Sequence, residues 1–113
     1  MISESINSPL TEAPDSILIA ASNRGEGGVF AVLVERYRAT LFSAAFRITR
    51  NRKDAEDVVQ QSFQKAFLQL HRFEAKSSFS TWLTNIATHE AYVSEKNRAR
   101  QPAPYDIASG LEE

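Results

Sequence analysis

No glycine and no proline lies between Val29 and Gln101, a run that covers most of the 113-residue chain. In a helix interior these two residues are the least favourable, glycine by about 1 kcal/mol and proline by about 3 kcal/mol relative to alanine. All four glycines and all four prolines fall on either side of the run. Apolar residues inside it recur with the helical period. We therefore expect an all-α fold, a compact bundle of about four helices.

The pattern predicts a flexible leader at residues 1–14, a helical domain at residues 15–100 and a linker or tail at residues 101–113. Asp15 follows Pro14 and can cap the first helix, which Gly25 ends. The inward residues of this helix are Ile17, Leu18 and Ala21. The second helix runs from about residue 29 to residue 50. Its apolar set is Phe30, Leu33, Val34, Tyr37, Leu41, Ala44, Ala45 and Ile48.

Asn51 can cap the third helix, and either Ser77 or Ser78 can cap the fourth. The loop at residues 74–77 is short, so we expect these two helices to be neighbours. The inward stripe of the third helix is Ala55, Val58, Val59, Phe63, Ala66, Phe67 and Leu70, closed by Phe73. The inward face of the fourth is Phe79, Trp82, Leu83, Ile86, Ala87 and Val93. For Trp82 we favour core packing over base stacking.

Several functional classes find no support in the composition. The chain has no cysteine, so disulfides and thiolate metal sites are excluded. His71 and His89 lie on separate predicted elements without a carboxylate partner, so we expect no metal site. There is no nucleophile–base pair, phosphate-binding glycine loop or HExxH motif. We therefore expect neither an enzyme nor a cofactor. No apolar stretch reaches the roughly 20 residues of a membrane span, and a cytoplasmic location fits the lack of cysteine.

The charge is unevenly distributed along the chain. Residues 1–28 and residues 101–113 each carry a net charge of −3, whereas residues 29–100 contain 12 basic and 7 acidic residues. A basic body between acidic ends is compatible with a polyanionic partner, although many domains of this charge bind no nucleic acid. Arg47, Arg50, Arg52 and Lys53 gather at the end of the second helix. We interpret them as complementing the helix dipole.

Two outward faces are candidates for binding. On the third helix, helical spacing aligns Asp57, Gln61, Gln64, Leu68 and Arg72. Glutamines and an exposed leucine indicate a docking face, and a merely solvated face is an equal alternative. On the fourth helix, the outward residues are Asn85, Thr88, His89, Tyr92 and Lys96. Their side chains suit nucleic acid. The alternative is a polar face with a fraying basic end, because residues 79–100 sum only to +1.

The segments GEGGVFAVLVERY, DAEDVVQQSF and FEAKSSFSTWLTNIA resemble the second domain of bacterial RNA polymerase sigma factors. The resemblance covers about residues 15–100 and is strongest to the extracytoplasmic-function branch of the sigma-70 superfamily. It implies a helical domain that docks on the clamp coiled coil of the polymerase beta-prime subunit and recognises and melts the promoter minus-ten element. The implied partners are the RNA polymerase core and promoter DNA, and the resemblance allows an anti-sigma factor as a third.

The resemblance also assigns residues to these roles. The implied polymerase-binding set is Asp54, Asp57, Gln60, Gln61 and Gln64. The loop implied to capture a flipped minus-ten base is Phe73, Glu74, Ala75, Lys76, Ser77 and Ser78. The fourth helix then follows the DNA through the outward residues already named, Asn85, Thr88, His89, Tyr92 and Lys96.

The chain departs from the family pattern on the fourth helix. His89 stands where an asparagine is common, Val93 lies near a usual aspartate, and the helix ends in EKNRAR rather than a dense arginine run. Weaker phosphate contact follows, so the alternative function is a helical protein-interaction module without promoter reading. A helix-turn-helix that reads the minus-thirty-five element is not found in the sequence. We interpret the chain as one domain of a longer factor, with a standalone protein as the alternative.

Overall fold

Four α-helices account for most of residues 11–100, the part of the chain that the computed structural model describes. They are α1 (Asp15–Asn23), α2 (Val29–Thr49), α3 (Arg52–Gln69) and α4 (Phe79–Arg100), and a 3-10 helix, Leu70–Arg72, continues α3. Helices α2, α3 and α4 pack pairwise against one another, and α1 packs on α2. The predicted all-α bundle is confirmed. The predicted tail and residues 1–10 of the predicted leader lie outside the described residues.

Asp15 does not cap α1 as predicted, because Pro14 occupies the capping position and Asp15 is the first helical residue. Its carboxylate instead joins α1 to α2. Arg36 Nη1 lies 2.7 Å from Asp15 Oδ1, and the Tyr37 hydroxyl donates a hydrogen bond to Oδ2 of the same carboxylate. Burial, this hydrogen bond and the negative charge of Asp15 together raise the pKa of Tyr37 to about 12.

Two residues near the end of the predicted leader, Thr11 and Ala13, contact the helical body. Arg36 Nη2 donates to the Thr11 carbonyl at 2.7 Å, and Ala13 packs against the core. At the other end of α1, Gly25 adopts a positive φ of 85°. Its N–H bonds the Ser22 carbonyl, and the Glu26 N–H bonds the Ala21 carbonyl. This pair of bonds is a Schellman motif, so the predicted glycine stop is confirmed.

The N-terminal caps of α3 and α4 are formed by residues that the sequence predicted. Asn51 Oδ1 accepts a hydrogen bond from the Asp54 N–H at 2.9 Å. For α4 the structure selects between the two serines, because Ser78 Oγ accepts from the Thr81 N–H at 3.1 Å. Arg50, in the left-handed region at φ 55°, ends α2. The link between α2 and α3 is thus only two residues long, which makes the two helices antiparallel neighbours.

The core is built from leucines and an aromatic cluster. Leu18, Leu33, Leu41, Leu70 and Leu83 are among its fully buried side chains. Trp82 packs against this core, with its ring centroid 5.3 Å from Phe73 and 5.6 Å from Phe79. The preference for Trp82 as a packing residue is therefore confirmed. No helix within residues 11–100 has the length and apolarity to cross a bilayer.

Three residues predicted to face inward do not. Ile17 is 56% exposed, Phe67 is 54% exposed and Val93 is 38% exposed. On α1, Ile19 is buried where Ile17 was expected. Phe67 lies at the edge of the bundle and contacts only the margin of the core, with its ring 5.1 Å from that of Phe30.

The error at Val93 has a packing cause. A second core cluster of small residues, Ala45, Ala55, Val58 and Ala91, draws α4 close to α2 and α3. With Ala91 and Glu90 occupying the buried face at this level, Val93 is turned to the side of the helix. It lines a groove between α3 and α4 there.

Candidate functional site

The outward crest of α3 is formed by Asp57, Gln61, Gln64, Leu68 and Arg72, and all five are exposed. Leu68 is 71% exposed, the largest value among the exposed large hydrophobic side chains of residues 11–100. Within residues 11–100, the one ion pair of Asp57 is with Lys53 of its own helix, whose Nζ lies at 3.4 Å. The helical spacing therefore gave the correct arrangement of these side chains.

The predicted polymerase-binding set divides over three sides of α3. Asp57, Gln61 and Gln64 lie on the crest. Gln60, also exposed, borders a groove between α2 and α3 that has Phe42 and Val59 in its lining. Asp54, together with Gln61 at the edge of the crest, borders the polar groove of about 440 Å³ between α3 and α4. Three of the five predicted residues therefore share the crest, and Asp54 and Gln60 lie on either side of it.

Two ion pairs cross the seam between α3 and α4. Lys65 Nζ lies 3.0 Å from Glu90 Oε2, and the Glu90 side chain is only 8% exposed. Near the end of α4, Arg98 Nη1 lies 2.9 Å from Asp54 Oδ2 and 3.2 Å from Glu95 Oε2. The sum over residues 79–100 counted Glu90 against the basic residues of the outward face. Because Glu90 is turned into the seam, it does not lower the positive charge of that face.

Sequence reasoning missed the Lys65–Glu90 pair, although a signal for it exists. Glu90 follows Leu83 by seven residues and Ala87 by three. This spacing puts the carboxylate on the buried face of a helix, where a charge needs a partner. Choosing that partner requires the relative placement of two helices, which the sequence alone does not supply.

The outward face of α4 is displayed as predicted. Asn85, His89, Tyr92 and Lys96 are exposed and Thr88 is half-buried, with Tyr92 at 61% exposure. The face therefore offers an amide, an imidazole, a phenol and an ammonium group to solvent. These groups can bond base edges and phosphates, and the phenol ring can stack on a base.

The loop between the 3-10 helix and α4 contains both structural and accessible residues. Phe73 is half-buried and packs edge-on against Phe79 with centroids 5.5 Å apart, and Ser78 is the α4 cap. Lys76 and Ser77 are exposed, and Lys76 Nζ lies 3.1 Å from Glu74 Oε1. Of the predicted base-reading residues, Phe73 packs on the core and Ser78 caps α4, whereas Glu74, Ala75, Lys76 and Ser77 are exposed.

The described residues hold no group of three His, Asp or Glu side chains placed to bind a metal ion. The described surface consists of a mostly polar crest on α3, an ion-paired seam between α3 and α4, and a polar face on α4 beside an accessible loop. Docking and nucleic-acid contact could therefore be made by neighbouring helices of one bundle.

Comparison with known proteins gives a family. The model of Sigma-70 region 2 matches residues 33–101. The RNA polymerase sigma-H factor of Pseudomonas aeruginosa is 32% identical over 100 residues, which cover 88% of this chain and 52% of that protein. The ECF RNA polymerase sigma factor SigG of Mycobacterium tuberculosis is 38% identical over 77 residues, 68% of this chain and 21% of that protein. The chain thus spans about half the length of the first relative and about a fifth of the second.

A solved structure matches at the level of the fold. It is the NMR structure of an engineered region 2 of sigmaE in complex with GTAAAA, with a TM-score of 0.70 and 33% sequence identity. The match covers 80% of this chain and 96% of that one. With the family match and these relatives, the chain belongs to the sigma-70 region 2 family, in its extracytoplasmic-function branch.

Proposed function

We propose that this chain docks on the beta-prime clamp of RNA polymerase and recognises and melts the promoter minus-ten element during transcription initiation. The observation that carries the proposal is the pair of polar faces on adjacent helices, α3 and α4. Family membership and the structural neighbour bound to GTAAAA support the DNA role. The chain acts as a binding protein that gives promoter choice to the polymerase, in the cytoplasm, and an anti-sigma factor is a candidate regulator.

The docking role is proposed for the centre of the α3 crest. Asp57, Gln61 and Gln64 are exposed, and neither glutamine makes a side-chain hydrogen bond within residues 11–100. Each amide offers both donors and an acceptor. Leu68 adds an exposed apolar contact beside them. A polar surface around an apolar residue is typical of a protein–protein interface that forms and dissociates.

The DNA role is proposed for the loop and α4. Lys76 and Ser77 can reach a base that has left the stack, because both side chains are exposed at the loop. A flipped base is recognised by hydrogen bonds to its edge and by stacking. Along α4, Asn85 and His89 offer hydrogen bonds and Tyr92 offers a stacking surface. Thr88 and Lys96 complete the proposed DNA-binding face.

A pull-down with the beta-prime clamp coiled coil tests docking. We expect the double variant Asp57→Ala with Gln61→Ala to lose most of the binding. The matched control is Glu35→Ala with Thr40→Ala, which removes one acidic and one polar side chain from exposed positions of α2. Binding that survives in the first variant contradicts the assignment of the α3 crest.

Fluorescence anisotropy on a single-stranded oligonucleotide containing GTAAAA tests DNA reading, with polymerase core present. We expect sequence-selective binding that weakens in Lys76→Ala and in Tyr92→Ala. The accessible loop and the displayed α4 face are the reasons for this expectation. If the chain docks on the polymerase but binds the oligonucleotide without sequence selectivity, the alternative function applies. The chain is then a helical protein-interaction module that does not read a promoter.

A further inference from the structure

Asp54 is turned toward α4. Its carboxylate Oδ2 lies 2.9 Å from Arg98 Nη1, and its side chain is 29% exposed. Asp57, one turn further along α3, is more exposed, and its partner among the described residues is Lys53 of the same helix. The two acids therefore have different surroundings, although the family resemblance assigns both to polymerase docking.

The Asp54–Arg98 ion pair joins the end of α4 to α3. Ala91 is the last buried residue of α4 among the described side chains. From residue 92 to residue 99, only Ser94 and Glu95 are even half-buried. In that stretch the bond from Arg98 to Asp54 is the one ion pair that reaches another helix.

Two of the residues proposed to contact DNA, Tyr92 and Lys96, lie between two ion pairs that join α4 to α3. Glu90 is held by Lys65 at 3.0 Å, and Arg98 is held by Asp54. Glu90 and Arg98 are eight positions apart, which corresponds to about 12 Å along the helix axis. Because Tyr92 and Lys96 fall within this span, their positions depend on both ion pairs.

We propose that Asp54 is a positioning residue for the DNA-binding face of α4, acting through Arg98, rather than a contact to the polymerase. The inference rests on the proposed function and deepens it by assigning Asp54 to the DNA side of the domain. Without the pair, the last turns of α4 keep only the packing of half-buried Ser94 and Glu95. Tyr92 and Lys96 then sample a wider range of positions, and the affinity for DNA falls.

The variant Asp54→Ala tests this, with Asp57→Ala as the matched control. The cap of α3 survives in both, because it uses the Asp54 backbone N–H and the Asn51 side chain. We expect Asp54→Ala to dock on the clamp coiled coil like the wild type and to bind the GTAAAA strand about threefold to fivefold more weakly. Asp57→Ala is expected to weaken docking and to leave the affinity of the docked complex for the strand unchanged.

Salt dependence separates positioning from a direct phosphate contact by Arg98. Loss of one phosphate contact on a single strand makes the slope of log K against log salt less negative by about 0.7. A positioning role predicts the wild-type slope in Arg98→Ala, whereas a direct phosphate contact by Arg98 predicts the shallower slope in that variant. The positioning role also predicts that Arg98→Ala weakens DNA binding to the same extent as Asp54→Ala and that the double variant is no weaker than either single variant.

Hydrogen exchange provides a readout that needs neither partner. Amides of residues 92–99 should exchange faster in Asp54→Ala than in the wild type and remain unchanged in Asp57→Ala. Unchanged exchange in Asp54→Ala, or a docking loss as large as that of Asp57→Ala, overturns the inference. If the wild type binds neither clamp nor strand, the proposed function itself fails, and Asp54 then has no DNA-binding face to position.

Discussion

Lys65 Nζ on α3 lies 3.0 Å from Oε2 of Glu90 on α4, and the Glu90 side chain is almost completely buried. A buried carboxylate is tolerable only while its charge is compensated. Lys65 itself is half exposed, so water weakens the attraction that the pair contributes. The pair therefore stabilises the bundle mainly by preventing an uncompensated charge at the α3–α4 seam.

Removing Lys65 should be more destabilising than removing both partners. We expect Lys65→Met to lower the free energy of unfolding by about 1–3 kcal/mol, because Glu90 is left buried without its partner. The double variant with Glu90→Met should recover most of this loss. Urea denaturation measures the cycle, and Lys53→Met, which breaks an exposed pair with Asp57, is a control expected to change stability by less than about 0.5 kcal/mol. Equal losses in the two single lysine variants would contradict the role given to burial.

The helices and their caps could be predicted from the sequence because they depend on local signals. Asn51 and Ser78 precede helices at the spacing that capping requires, and both caps are present. The crest of α3 was likewise predictable, since helical spacing alone decides which side chains share a face. These features need no knowledge of how one helix lies against another.

The remaining features depend on contacts between helices. Asp15 has the residue type of a cap, but its carboxylate is bound by Arg36 and Tyr37 of α2. Val93 has the apolarity of a core residue, but the close approach of α4 at Ala91 leaves it at the side. Both were predicted incorrectly because tertiary packing overrides a local preference.

The half-buried phenol of Tyr37 should make the free energy of unfolding depend on pH in the alkaline range. Its pKa rises from 10.0 to about 12 in the folded chain, so above pH 10 the unfolded state binds fewer protons than the folded state. The free energy of unfolding then falls as the pH rises. The contribution of Tyr37 is fully present below pH 10 and is lost as the pH rises toward 12.

The variant Tyr37→Phe isolates this contribution. At pH 7 it should be less stable than the wild type by about 1 kcal/mol, because the hydrogen bond to Asp15 is lost. Between pH 10 and 12 the difference should shrink, since only the wild type has a phenol at this position to deprotonate. Thermal unfolding followed by circular dichroism measures both values at each pH, and a difference that stays constant would contradict the raised pKa.

The two serines before α4, both candidate caps from the sequence, should contribute differently to the free energy of unfolding. Ser78→Ala removes the acceptor for the Thr81 N–H and should cost about 1 kcal/mol in the free energy of unfolding. Ser77 is exposed and makes no such bond within the described residues, so Ser77→Ala should have almost no effect. Urea denaturation of both variants checks this. The adjacent position provides a control of identical chemistry, and equal costs would contradict the capping assignment.

Leu68 offers a test of the α3 crest that separates docking from folding. Because its side chain is 71% exposed, Leu68→Ala should leave the free energy of unfolding within about 0.5 kcal/mol of the wild type. Leu70 lies two residues further on and is 2% exposed. Leu70→Ala should by contrast lower the free energy of unfolding by about 2–5 kcal/mol.

In the clamp-binding assay, Leu68→Ala should weaken docking severalfold, because the apolar contact proposed beside Gln64 is lost. Ile17→Ala is the matched control, since Ile17 is also an exposed apolar residue, at 56%, but lies on α1 away from the crest. An equal loss of docking in both variants would point to general surface hydrophobicity instead of a defined site. A selective loss in Leu68→Ala would place the docking surface on the side of α3 that faces away from the core, where it leaves the α4 face free for DNA.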